Sequence, residues 1–273
     1  MRLNPFAKKG TVIPVVPVSG GIGMTAPLRS GVSASGLEQQ LVRAFGMKSA
    51  PAVALRINSP GGSAVQSHLI FRRIRGLAEE KKKDVIVGVE DVAASGGYMI
   101  ALAGDEIVVD PSSIIGSIGV VFAGFGFPRL IDKLGIDRRV HTAGQSKVIL
   151  DPFQPEKPED VARLKQLQRE VHDTFIGLVK SRRPRLADDP DLFTGAFWSG
   201  ERGVALGLAD RVGDLHAVLR ERYGADVTLK VMGAEKGLLR RRLGLGAALS
   251  PNAIAEAAVG TIEERLLWNR YGL

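Results

Sequence analysis

Residues 85–103 read VIVGVEDVAASGGYMIALA, and the reading of this stretch decides the fold. Val85 to Val89 is an unbroken apolar run rich in β-branched side chains, which predicts a strand buried on both faces. It stops at the small-residue cluster Ala93-Ala94-Ser95-Gly96-Gly97, and Tyr98 to Ala103 follows as a short buried helix. The same grammar recurs outward. Upstream, Ala52 to Ile57 is a strand ending at Asn58-Ser59-Pro60-Gly61-Gly62, followed by an amphipathic helix over Ser63 to Lys82. Before these, Thr11 to Val18 reads as an opening strand despite Pro14 and Pro17, and Leu37 to Met47 as a short helix. Downstream, Glu106 to Val109 gives a third strand of the series, and Ser117 to Val121 starts a fourth. Val161, Leu164, Leu167, Val171, Phe175 and Leu178 recur at helical spacing between Pro158 and Arg183, where Pro184 stops the helix. Glu201 to Asp210 reads as a further helix, closed near Gly213. Strands that alternate with helices and are apolar throughout define an α/β fold, a parallel sheet flanked by helices.

Composition narrows the chemistry. The 273 residues suit one large domain with a small appendage, and 45% hydrophobic against 24% charged residues is ordinary for a globular chain. With no cysteine, disulfides, thiolate metal sites and a cysteine nucleophile are excluded, and no metal or other cofactor is expected. The net charge of +8 favours polyanions. Yet the basic residues are scattered apart from Lys81-Lys82-Lys83, Arg182-Arg183 and Arg240-Arg241-Arg242, and aromatics are only 5%. No nucleic-acid partner is therefore expected, and an anionic lipid surface suits the charge equally well. The apolar run after the basic segment 1–10 is too short for a membrane span and has no small-residue cleavage site. A cytoplasmic location follows as the expectation, with peripheral contact at the inner face of the cell membrane as its variant. The main domain is placed at 11–230. Residues 231–273 comprise a basic, glycine-rich linker and an amphipathic helix from Ser250-Pro251 to about Asn269.

Two turns could carry chemistry. Ser95 sits between a strand and a short helix, where a hydroxyl can be exposed at the positive end of a helix dipole. Gly96 can turn its N–H toward a developing oxyanion, and Gly61-Gly62 can supply a second donor. Taken alone, each cluster reads first as an ordinary tight turn. A serine also needs a base. Of the four histidines, His68 and His172 fall inside amphipathic helices, and His216 lies in a helix of the last third. His141 follows a strand, yet none of the four has a local signature, and each reads as solvated or structural.

In order along the chain stand Ile57-Asn58-Ser59-Pro60-Gly61-Gly62, Ala93-Ala94-Ser95-Gly96-Gly97-Tyr98, Gly116-Ser117-Ile118-Gly119-Val120 and Ala143-Gly144-Gln145-Ser146-Lys147. Leu150-Asp151-Pro152-Phe153, Phe197-Trp198-Ser199-Gly200 and Gly207-Leu208-Ala209-Asp210 complete the set. On these motifs, Ala52 to Gly213 resembles the signal peptide peptidase (SppA) family of bacterial serine peptidases, in its short form. The resemblance implies a ClpP/crotonase-type spiral of ββα units and a peptidase domain at 11–230. It also implies a catalytic dyad, with Ser95 as nucleophile and Lys147 as general base. Ser117 matches a serine that orients the lysine, and Gly62 and Gly96 match the oxyanion donors. The pair Gln145-Ser146 departs from many relatives. Implied substrates are extended apolar peptides, such as signal-peptide remnants or membrane-protein segments, and the implied assembly is a homo-oligomer. No counterpart of the family's usual N-terminal membrane anchor is expected here. A dyad lysine must be neutral, whereas a free lysine is uncharged only about once in 2,500 molecules at pH 7. Burial against Val148, Ile149 and Leu150 is expected to lower its pKa by ~3. Two other readings stay open. One is a crotonase-type coenzyme A thioester enzyme, although no acid/base carboxylate stands at a glycine-rich helix start. The other is an inactive membrane-surface adaptor using Arg240-Arg241-Arg242 and the last helix.

Overall fold

The central strand β5 (Asp84–Ala94) is longer than the apolar run that announces it, and its two halves have different neighbours. Val85 to Val89 pair with β4 (Ala52–Ser59) on one side, and Ile86 to Val89 pair with β6 (Glu106–Val109) on the other. Val92 to Ala94 instead pair with β7 (Ile114–Gly116). On the other side Ala93 still pairs with Ser59 of β4, so Ser95 follows between β7 and the turn after β4. The structure is a computed structural model that describes residues 10–26, 29–144, 146–233 and 265–273.

In chain order the elements are β1 (Val12–Ser19), the small antiparallel pair β2 (Thr25–Ala26) and β3 (Arg29–Ser30), α1 (Ala34–Phe45), β4, α2 (Ala64–Lys81) and β5. Then come α3 (Gly96–Ala101), β6, β7, α4 (Pro128–Lys133), α5 (Pro158–Arg182) and β8 (Phe197–Ser199). The series closes with α6 (Gly200–Ala205), β9 (Arg211–Val212), α7 (Leu215–Tyr223) and β10 (Thr228–Val231). The sheet runs β10-β1-β4-β5-β6-β9 in parallel, with β8 added antiparallel to β7.

Alternate residues of the inner strands face two cores. Val53, Leu55, Ile57, Val85 and Val87 pack with α1, α2 and α3, whereas Ala52, Ala54, Ile86 and Val108 meet Val218 and Leu219 of α7. Coverage on both faces explains why these strands read as unbroken apolar runs. Hydrogen bonds fasten the periphery to this body. The buried Tyr98 hydroxyl donates to Leu208 O (2.9 Å), and Arg183 grips both Asp210 oxygens at 2.9 Å each. The Gly207-Leu208-Ala209-Asp210 motif is thus a clamp between α3, the end of α5 and β6, whose Ile107 N–H also donates to Asp210.

Three expectations are corrected. The expected strand from Ser117 to Val121 is absent; the ladder ends at Gly116, because Ser117 turns to φ 54. The helix expected over Glu201 to Asp210 stops at Ala205, where Gly207 (φ 78) makes a left-handed exit against Arg185 O. No strand precedes His141. From Gly119 to Lys157 the chain forms an arm in which most side chains are exposed. The basic segment, the linker and all but the last turn of the final helix lie outside the described residues.

Candidate active site

Ser95 adopts φ 52 and ψ −120 between β5 and α3. A non-glycine residue held there stores about 1–3 kcal/mol of strain, which only a firmly determined surround sustains. That surround is visible. Ser95 N–H donates to Gly116 O (2.8 Å), Met99 N–H returns to Ser95 O (2.9 Å), and α3 behind it is buried. The turn of residues 58–62 presses against the serine from the other side. A Cβ on Gly61 would fall 2.8 Å from Ser95 Cβ, so no other residue type fits.

The same turn is zipped to residues 20–23. Gly20 N–H donates to Asn58 O, Ile22 N–H to Gly61 O and Ser63 N–H to Ile22 O. Ser59 Oγ adds a bond to Gly20 O (2.7 Å). What this leaves over is informative. The N–H groups of Gly62 and Gly96 have no acceptor among the described residues, and a Cβ on Gly96 would lie 3.4 Å from Gly62 N. Two neighbouring donors without acceptors, beside a strained serine, can receive the negative oxygen of a tetrahedral intermediate. They open into a cleft of about 370 Å³ whose wall includes Ser95, Gly62, Gly96, Ser117, Met99 and Phe175.

Ser117 is brought to the cleft by β7 and is 2% exposed. Its N–H donates to Ala196 O, and the neighbouring Ile118 O lies 3.0 Å from His172 Nε2 on α5. A carbonyl can only accept, so Nε2 carries the proton. His172 therefore pins the chain beside Ser117, a structural part for a residue first read as solvated or structural. His68 stacks on Phe71, and His216 lies in α7.

Lys147 stands apart from this group. It is exposed on the arm and forms no part of the cleft wall. The expected burial against Val148, Ile149 and Leu150 is corrected here: Ile149 is itself exposed, and the other two are half-exposed. The structure thus brings together four of the five predicted residues, Ser95, Ser117, Gly62 and Gly96. A fifth wall element had no signal in the sequence. Tyr271 enters the cleft, and its hydroxyl donates to Ser117 Oγ at 3.2 Å. No cluster able to hold a metal ion occurs among the described residues.

The parallel, doubly covered sheet has a ClpP-like arrangement and ends in a strained serine beside two acceptor-free N–H groups. Residues 78–227 match the model of peptidase family S49, and the chain belongs to that family. A Brucella abortus protein named Na(+)/H(+) antiporter NhaA is 56% identical over 285 residues, which cover 100% of this chain and 39% of that protein. The probable protease SohB of Haemophilus influenzae is 33% identical over 197 residues, 72% of this chain and 55% of that one. The chain thus spans well under two thirds of both these relatives. Among solved structures, the membrane-bound stomatin-specific protease 1510-N in complex with a substrate peptide superposes with a TM-score of 0.53. At 17% identity over 92% of this chain and 99% of that one, the match establishes the fold.

Proposed function

We propose that the protein is a serine endopeptidase in which Ser95 attacks the peptide carbonyl and Lys147 is the general base. The observation that carries this reading is the pairing of strained Ser95 with the acceptor-free N–H groups of Gly62 and Gly96. Ser95 Oγ bonds to the carbonyl carbon while its proton passes to the neutral Lys147 amine. The carbonyl oxygen takes the negative charge and is held by the two N–H groups. Lys147 then protonates the leaving amine as the C–N bond breaks, and water, deprotonated by Lys147, releases the acyl group from Ser95. In the reactive state the arm folds over the cleft and moves Lys147 out of water; Ser117 then orients its amine.

The substrates are extended apolar peptides, signal-peptide remnants or membrane-protein segments. The apolar wall from Met99, Val120 and Phe175 supports this, as does the peptide complex of the 1510-N protease. A homo-oligomer is supported by Val121, Phe125 and Leu134 on the arm, which are 68%, 76% and 63% exposed. No described helix is long and apolar enough to cross a membrane. A cytoplasmic location with peripheral contact at the inner face of the cell membrane is part of the proposal, and the net charge of +8 supports that contact. Ser95→Ala and Lys147→Ala, assayed separately on an apolar reporter peptide, are each expected to lose cleavage. Full activity in either variant overturns the dyad.

A further inference from the structure

Residues 265–273 return to the cleft that contains Ser95. Residues 265–269 are helical, and the N–H groups of Tyr271 and Leu273 then both donate to Trp268 O, at 2.9 and 3.3 Å. This turn drives Tyr271 inward until it is 8% exposed. Its ring packs with Val92 and Ala94 at the end of β5 and meets Phe197 edge-on, with centroids 5.1 Å apart; Trp268 packs against the same cluster. Leu267 and Arg270 complete this side of the cleft wall. The Tyr271 hydroxyl bonds to Ser117 Oγ (3.2 Å) and reaches Pro60 O at 3.5 Å, in the turn that carries the Gly62 donor.

The choice of partner matters. Ser117 is buried, and its one described side-chain hydrogen bond is to Tyr271. A hydroxyl held by a tyrosine cannot take a lysine amine in the same direction. The Ser117 hydroxyl that the dyad reading assigns to the Lys147 amine is thus bonded to a phenol from the protein's own chain, while Lys147 remains outside. We infer that residues 265–273 form an autoinhibitory wedge, with Tyr271 holding Ser117 in place of Lys147 and narrowing the cleft against peptide. This rests on the Ser–Lys reading. An incoming apolar peptide competes for the same wall, so substrate binding and release of the wedge are one equilibrium.

The test uses the full chain and its Tyr271→Phe and Tyr271→Ala variants. The rate of Ser95 labelling by a fluorophosphonate is measured, together with cleavage of an internally quenched apolar peptide. Tyr271→Phe keeps the ring and loses only the hydroxyl, and a rise of about 2- to 10-fold in both rates is expected, the worth of one hydrogen bond. Tyr271→Ala is expected to gain more, and a synthetic nonapeptide of residues 265–273 to slow it again. Where Ser95 is labelled in the parent protein, unchanged or slower rates in both variants overturn the wedge. A readout independent of chemistry separates the two proposals: in Ser95→Ala, the same apolar peptide should speed amide exchange in residues 265–273. Unaltered exchange there overturns the wedge whatever happens at Ser95. Accelerated exchange with no labelling of Ser95 in any variant supports the wedge and contradicts the peptidase reading.

Discussion

Gly62 illustrates how much one residue can constrain. Its φ of 139 excludes a side chain, and a Cβ there would fall 2.2 Å from Ile22 O, a backbone atom that cannot swing aside. Gly62→Ala should displace the donor from the oxyanion position and lower kcat by about 10²–10³-fold. The same change should cost roughly 1–3 kcal/mol of stability, read by denaturant melts beside the kinetics. An unaltered kcat would mean that the Gly62 N–H does not face the reacting oxygen. The Gly-Gly pairs were legible in the sequence because turns advertise themselves. Ser95 was legible only through the motifs around it, since its strain depends on Gly61 and Gly116 arriving from distant parts of the chain. Tyr271 was not legible at all. No pattern within residues 265–273 announces that a turn over Trp268 will aim one phenol at Ser117.

At the scale of elements, the arm holds itself together. Phe127 N–H donates to Pro152 O, the Phe127 and Phe153 rings lie 5.7 Å apart, and Arg138 spans to Asp151 at 2.9 Å while stacking over Phe153. The Phe153 N–H and then Arg138 hold the Asp151 carboxyl below the usual carboxylate range. A lowered folded-state pKa means the contribution is present above the unfolded value, ~3.9, and is lost as pH falls through the lower folded one. At neutral pH, Asp151→Asn is therefore expected to speed amide exchange across residues 127–153. In strong acid the wild type should lose that advantage. Equal exchange in the two proteins at pH 7 would leave Asp151 without a part in the arm. The Leu150-Asp151-Pro152-Phe153 motif was visible in the sequence, but its task was not, because Arg138 joins it from a separate turn. Reading Ser117 to Val121 as a strand followed from local β-branched content; the positive φ of Ser117 ended the ladder instead. Helix α5 fits its expected span, yet among its apolar stripe only Phe175 is buried, so periodicity located the helix and not its partner.

The whole molecule shows a buried sheet carrying an exposed apolar arm, and these two parts were unequally legible. The sheet follows from unbroken runs such as Val85 to Val89, which no single-faced strand would need. The placement of Lys147 does not follow from sequence, since adjacency in a motif says nothing about closure of an arm. If a second copy covers the arm, Leu134→Glu should convert an oligomer to a monomer in light scattering while leaving the circular dichroism unchanged. Leu134 is 63% exposed in the single chain, so its loss should not harm the fold. The most direct test of the central claim remains covalent: treat the intact protein with a serine-reactive phosphonate and identify the modified peptide by mass spectrometry. The expected result is one adduct, on Ser95, absent from Ser95→Ala and strongly slowed in Lys147→Ala. An adduct on another residue, or none on Ser95 in folded protein under any condition, would contradict it.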